Sequence, residues 1–278
     1  MQAVFLSRLF HAPLVFQTNQ NIRKKYPPPF SWIEQLSYRT CAAALAFSEE
    51  ARQVMLAKGL KRPSQVVPYG TDLGLFHPHE ESLLRETLGL GKRVVLGYMG
   101  RLVAEKGLDT LIEAVSLLRQ QPLTEFVVLV VGAGAEESAL KRLIEKKGLQ
   151  DQFVFTGVVP HLEAGSYMSC MDIFVLPSRT TPTWKEQFGR VIIEAMACGI
   201  PVAGSDSGQI PILIRETGGG LVFQEGNAED LAEKLQELVN HPEKRAALGK
   251  AGQAAVQNAF TYEAVAKQLY DILVRCQP

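Results

Sequence analysis

Phe126-Val-Val-Leu-Val-Val131 runs directly into Gly132-Ala133-Gly134, and this stretch decides the fold. Its six apolar residues show no polar alternation, so a strand built from them is covered on both faces, as in a parallel sheet flanked by helices. Reading outward, similar short runs occur at Val94 to Met99, Phe153 to Phe155, Ile173 to Leu176, Val202 to Gly204 and Leu221 to Phe223. Between them the apolar residues follow a helical period, as in Leu108, Leu111, Ile112 and Val115, or Leu140, Leu143 and Ile144. Strand and helix therefore alternate from residue 94 onward, which predicts a doubly wound α/β domain whose ligands sit at the carboxyl ends of the strands.

The first 75 residues read differently. Strands are expected at Leu14 to Gln17, Ala44 to Phe47 and Gln65 to Val67, with helices near Trp32 to Arg39 and Glu49 to Lys58. At roughly 25 to 30 residues per strand-helix unit, this is half of a six-unit domain. Gly70 to Gly91 lacks an apolar period until Leu83 and reads as a linker. Tyr262 to Val274 carries Val265, Leu269 and Leu273 and reads as a final amphipathic helix. The expected divisions are a partial N-terminal domain over 1–75, a complete second domain over 76–258, and a helix over 259–278 that packs back toward the first.

Composition narrows the classes of function. The 278 residues are 46% hydrophobic, enough for one large core or two ordinary ones, and 29 basic residues balance 29 acidic ones. That balance gives no reason to expect a nucleic-acid partner. Cys41, Cys170, Cys198 and Cys276 form no CxxC pair, which points to a reducing compartment. No apolar run approaches the ~18 residues of a membrane span, and MQAVFLSRLFHAPLVF lacks the parts of a secretory signal. A cytoplasmic location, or the inner face of the membrane, is the expectation. Arg23, Lys24 and Lys25 beside Pro27 to Pro29 read as a solvated loop; the alternative, a peripheral contact with a lipid headgroup or an anionic acceptor, stays open. His11, His77, His79, His161 and His241 form no HxxxH or Cys/His cluster, so neither a metal nor another cofactor is expected.

The candidate chemistry lies on four segments. After Val94 to Met99, Gly100 lets backbone approach a ligand, and Arg101 and Lys106 flank the start of a helix near Gly107. A guanidinium fork and a mobile ammonium together suit the growing charge of a departing nucleoside diphosphate, and no metal is needed for that role. Two solvated charges are the plainer reading. The motif EQFGRVIIEAMACG, Glu186 to Gly199, places Glu186 and Glu194 eight positions apart. Eight residues of α-helix rise about 12 Å, near the span from a sugar across a diphosphate to a ribose. Glu186 then serves the sugar, the Phe188 and Gly189 amides serve phosphate or sugar, and Glu194 serves a ribose diol. A buried salt bridge is the alternative for Glu194, which is surrounded by core-type residues. Gly134 belongs to an incomplete GxGxxG, with Glu137 in the third place, and a tight turn explains it equally well. Gly157 ends a strand where backbone can meet a nucleobase.

Taken together, these segments resemble the retaining, group 1 glycosyltransferases of glycosyltransferase family 4, which have the two-domain GT-B fold. The resemblance runs from about residue 66 to 275, through VVPYGTDLGLFHP, GRLVAEKGLDTLIEA, VVGAGAEESAL, FTGVVP, DIFVLPS, EQFGRVIIEAMACGIPVAGSDSG and GLVFQEGNAEDLAEKL. It implies a nucleoside-diphosphate sugar as co-substrate, transfer with retention, and an acceptor that is a carbohydrate, lipid or small metabolite. It assigns Arg101 and Lys106 to the diphosphate, Glu186 with Phe188 and Gly189 to the sugar, and Glu194 to the ribose. By the same resemblance the chain lacks the first half of the N-terminal domain, Thr18 to Asn21 stands where acceptor-facing residues occur, and Gln209 replaces a common glycine. Two further readings remain: a nucleotide-sugar-binding module without transfer activity, and an epimerase.

Overall fold

The computed structural model describes residues 2–121 and 125–277. The chain forms two parallel sheets. The first contains β1 (Val15–Thr18), β2 (Ala43–Ala46) and β3 (Ser64–Val66) in the order β1-β2-β3. Around it lie α1 (Gln2–Leu9), α2 (Phe30–Thr40) and α3 (Glu49–Ala57). Ser48 caps α3 by accepting the Ala51 N–H at 3.2 Å, with Glu49 and Glu50 in the first turn, where the helix dipole favours acids.

The second sheet holds β4 (Val94–Met99), β5 (Phe126–Val131), β6 (Phe153–Gly157), β7 (Ile173–Leu176), β8 (Val202–Ser205) and β9 (Gly220–Phe223). Its order is β6-β5-β4-β7-β8-β9, and every pairing is parallel. All six residues of β5 and all four of β7 are buried. Successive side chains in a strand point to opposite faces, so this burial means helices cover both sides. The expected doubly wound sheet is therefore present, with β6, β8 and β9 each extended by a residue or more.

Between the sheets, the stretch read as a linker is more structured than expected. It contains α4 (Ser82–Thr87), and Phe76 is buried in the main core. A six-residue helix offers too few turns to leave a period in the sequence. Arg85 of α4 donates to the Cys170 carbonyl at 2.9 Å and meets Asp172 at 3.4 Å, while Asp172 Oδ2 accepts the Val95 N–H at 2.8 Å. These bonds tie the segment to the base of the larger sheet.

The larger sheet is flanked by α5 (Leu108–Leu118), α6 (Glu137–Lys146), α7 (Ala164–Ser169), α8 (Arg190–Ala197), α9 (Ile210–Thr217), α10 (Ala228–Asn240) and α11 (Pro242–Ala259). Asn227 caps α10 through the Asp230 N–H at 3.0 Å. The last helix, α12 (Tyr262–Arg275), returns to the smaller sheet. Its Ile272 is buried with Ala43, Leu45 and Val67, and Gln268 donates to the Val66 carbonyl at 2.8 Å. No helix among the described residues is long and apolar enough to cross a membrane.

Candidate active site

In the larger sheet the chain winds from β4 outward through β5 and β6, then restarts at β7 on the other side of β4. The carboxyl ends of β4 and β7 thus flank the topological switch point, where diverging loops leave a crevice. Two loops meet there. One follows β4 and carries Gly100, Arg101 and Lys106; the other follows β7 and carries Ser178 and Glu186. Their backbones touch: Gly107 sits at φ +65°, and a Cβ on it would lie 2.0 Å from the Pro177 carbonyl oxygen. Only glycine fits both the angle and the contact.

This approach brings the two charges together. Lys106 Nζ donates to Glu186 Oε2 at 2.6 Å, and Ser178 Oγ donates to the same oxygen at 3.2 Å. Glu186 is 9% exposed, so its charge is largely removed from water and depends on these partners. The Lys106 ammonium also lies 5.0 Å from the centre of the Trp184 ring, within cation–π range. Glu186 Oε1 has no hydrogen-bond partner among the described residues. Arg101 is exposed and forms no ion pair among them. Its loop is anchored from below, since the Tyr98 hydroxyl donates to the Arg101 carbonyl at 2.8 Å, and burial raises the pKa of that hydroxyl.

Beyond Glu186, Phe188 is buried and Gly189, at φ +80°, forms the N-cap of α8. Their N–H groups find no partner within the described chain, leaving donors at a helix start beside the carboxylate. α8 begins only at Arg190, so just the second half of the glutamate spacing is helical. Glu194 lies within it and is 8% exposed; its Oε1 accepts from Arg190 Nε at 2.9 Å. Burial raises its carboxyl above the ordinary range, and the Arg190 charge works against that rise. The salt-bridge alternative for Glu194 is thus present, with an exposed Arg190 as the partner and only one carboxylate oxygen engaged.

The glycine sites are placed less uniformly. Gly100 donates its N–H to the Val131 carbonyl at 2.9 Å at the end of β4. Gly134 is exposed and backs onto the Leu102 carbonyl, where a Cβ would come within 2.2 Å; close packing of two loops accounts for it. Gly157 closes β6 at φ +71° with open space above it. Among the described residues no group of three or more His, Cys, Asp or Glu is arranged to hold a metal ion. Cys41, Cys170 and Cys198 are buried free thiols, and burial pushes Cys170 up to about 11 and Cys198 up to about 12.

Two contacts had no signal in the sequence. Trp184 looks like any loop aromatic until its ring is seen beside Lys106. Asn21 stands in the stretch expected to face an acceptor, yet it is 4% exposed and donates from Nδ2 to the Glu186 carbonyl at 3.0 Å. No local pattern announces a bond between residues 165 positions apart.

Similarity to known proteins agrees with this architecture. The chain is 33% identical over 214 residues to the GDP-mannose-dependent monoacylated alpha-(1-6)-phosphatidylinositol monomannoside mannosyltransferase of Corynebacterium glutamicum, covering 74% of this chain and 55% of that protein. It is 28% identical over 283 residues to the alpha-D-kanosaminyltransferase of Streptomyces kanamyceticus, covering 96% and 72% respectively. The crystal structure of Anabaena Alr3699/HepE in complex with UDP and glucose superposes with a TM-score of 0.83 at 24% identity, over 98% of this chain and 74% of that one. This likeness identifies the fold as the two-domain GT-B type. The chain spans only about half, 50–55%, of the length of the mannosyltransferases it matches. Residues 81–255, more than half of the chain, match the family described as glycosyl transferases group 1, and the chain belongs to that family.

Proposed function

We propose that this chain carries the donor half of a glycosyltransferase of the glycosyltransferase family 4 type, which moves a sugar from a nucleoside diphosphate to a carbohydrate, lipid or small-metabolite acceptor with retention of configuration. The observation that carries the reading is the 2.6 Å pair between Lys106 and Glu186 across the switch-point crevice. It sets a cation suited to a diphosphate directly beside a carboxylate suited to sugar hydroxyls. The larger domain is then the donor-binding domain, and the smaller sheet lies on the acceptor side.

In this reading the arriving diphosphate takes Lys106 from the carboxylate, because a doubly charged phosphate competes well for an ammonium. Release of Glu186 Oε2 gives it two oxygens for sugar hydroxyls, with the Phe188 and Gly189 amides alongside. Arg101, exposed and outside any ion pair among the described residues, supplies the second cation. As the bond from the anomeric carbon to the diphosphate oxygen breaks, the acceptor hydroxyl oxygen bonds to that carbon and its proton passes to the departing diphosphate, whose growing charge Arg101 and Lys106 stabilise without need of a metal. Glu194 turns from Arg190 to the ribose diol, while Gly100, Gly134 and Gly157 let the donor lie close to backbone. Relatives named as GDP-mannose-dependent mannosyltransferases support a hexosyl donor.

The test is nucleoside-diphosphate release from GDP-mannose and UDP-glucose, with phosphatidylinositol monomannoside and 2-deoxystreptamine as acceptors chosen after the relatives. Glu186→Ala is expected to lower turnover about 10²–10³-fold while the protein stays folded. Turnover equal to that of the unaltered chain would overturn the assignment of Glu186.

A further inference from the structure

We propose that Asn21 is a positioning residue through which the smaller, N-terminal sheet sets the orientation of Glu186. The inference rests on the reading that Glu186 holds the donor sugar. The bond in question joins the two sheets. Asn21 follows β1 by three residues, is buried, and donates from Nδ2 to the Glu186 backbone carbonyl at 3.0 Å.

That carbonyl is held from both sides. It also accepts the Gln209 N–H of the larger domain at 3.2 Å, so both of its lone-pair directions are used. Gly208, at φ +55°, packs so closely that a Cβ would lie 2.0 Å from the same oxygen. The Glu186 peptide is thus fixed by one donor from each sheet and by contact with Gly208. Its carboxylate, by contrast, is held among the described residues by Lys106 and Ser178, both from the larger domain.

The residues on either side of Glu186 are tied to the smaller domain as well. Lys185 pairs with Glu50 of α3. Phe188 meets Tyr69 edge-on at 5.2 Å between ring centres, and Tyr69 stacks on Phe47 at 3.8 Å. Segment 184–188 is therefore a clasp between the sheets, in which Asn21 supplies the bond to the glutamate itself. Asn21 is in turn braced by its own turn, where the Gln20 N–H reaches Thr18 Oγ1 at 3.2 Å and Gln20 Nε2 reaches the Ile22 carbonyl at 3.1 Å. Any shift of one sheet against the other must stretch the Asn21 bond and tilt the Glu186 peptide. Asn21 acts through Glu186 and does not need to touch the sugar.

The chemistry selects the amide. The substitution Asn21→Asp keeps the size of the side chain but sets an acceptor against an acceptor, whereas Asn21→Gln keeps the donor with one more methylene. The experiment uses the full chain, with titration calorimetry of UDP against UDP-glucose and of GDP against GDP-mannose, alongside amide hydrogen exchange over residues 184–189. For Asn21→Asp and Asn21→Ala, affinity for the bare diphosphate is expected to stay within about twofold, the gain due to the sugar to fall at least about fivefold, and exchange over 184–189 to quicken. Asn21→Gln should recover part of both. An unchanged ratio of sugar-linked to bare diphosphate affinity in Asn21→Asp would overturn the proposal. Should the unaltered chain bind no nucleotide sugar, the functional reading fails on its own, and unchanged exchange over 184–189 in Asn21→Asp then overturns the positioning role separately.

Discussion

The two sheets of this chain are built on the same parallel pattern but reach very different degrees of closure. In the larger one, β5 is hydrogen-bonded on both sides and wholly buried, and a single core runs from Phe76 to Val256. In the smaller one, three short strands share two limited clusters, β1 leaves one edge unpaired within the described chain, and Phe5, Leu9, Phe10, Phe30 and Trp32 are exposed. Burial of apolar surface dominates folding, so the larger domain has far more to hold it together. The candidate site follows this division. Arg101, Lys106, Glu186 and Glu194 all belong to the larger domain, and the smaller one touches Glu186 through Asn21 and its neighbours Lys185 and Phe188 through Glu50 and Tyr69.

A pair of identical substitutions would break or sharpen this contrast. Leu129 lies in the centre of β5 with no exposure, and Leu129→Ala is expected to cost about 2–5 kcal/mol and to abolish diphosphate binding as the larger domain loosens. Leu45 lies at the centre of β2 against Ile272 of α12. Leu45→Ala removes the same atoms and should loosen the smaller sheet and the last helix, with a lower melting temperature, yet leave diphosphate binding in place. Equal loss of binding in both variants would mean that the two sheets unfold as one cooperative unit.

A smaller effect concerns the charge inside the larger core. Burial raises the Glu194 carboxyl above its ordinary value of 4.5. A raised carboxyl pKa favours the folded state while the group is protonated, and that contribution is lost as pH rises from 4.5 through the higher folded value. Relative to the unaltered chain, Glu194→Gln should therefore gain melting temperature across that window and level off above it. Parallel melting curves against pH would show that Arg190 fully offsets the burial.

Much of this arrangement is written locally. FVVLVV and VVLGYM are long enough in apolar residues to mark buried strands, and their alternation with helical periods carries the doubly wound order. The short helices α1 and α4 leave no readable period, and Phe76 resembles part of a linker because its burial depends on the completed core. Lys106 and Glu186 are each legible from their loops and residue types. Their contact is not, since it depends on Gly107 packing against the Pro177 carbonyl. Trp184 and Asn21 are still less accessible, because an aromatic ring in a loop and an amide in a turn acquire their roles only when distant segments close on them.

The most direct measurement of the central claim is titration calorimetry of UDP and GDP against the chain and against Lys106→Ala. One of the two diphosphates is expected to bind the unaltered chain, and Lys106→Ala to weaken that binding about tenfold or more. Failure of both diphosphates to bind, or equal affinity with and without the Lys106 ammonium, would contradict the assignment of the β4–β7 crevice as the donor site.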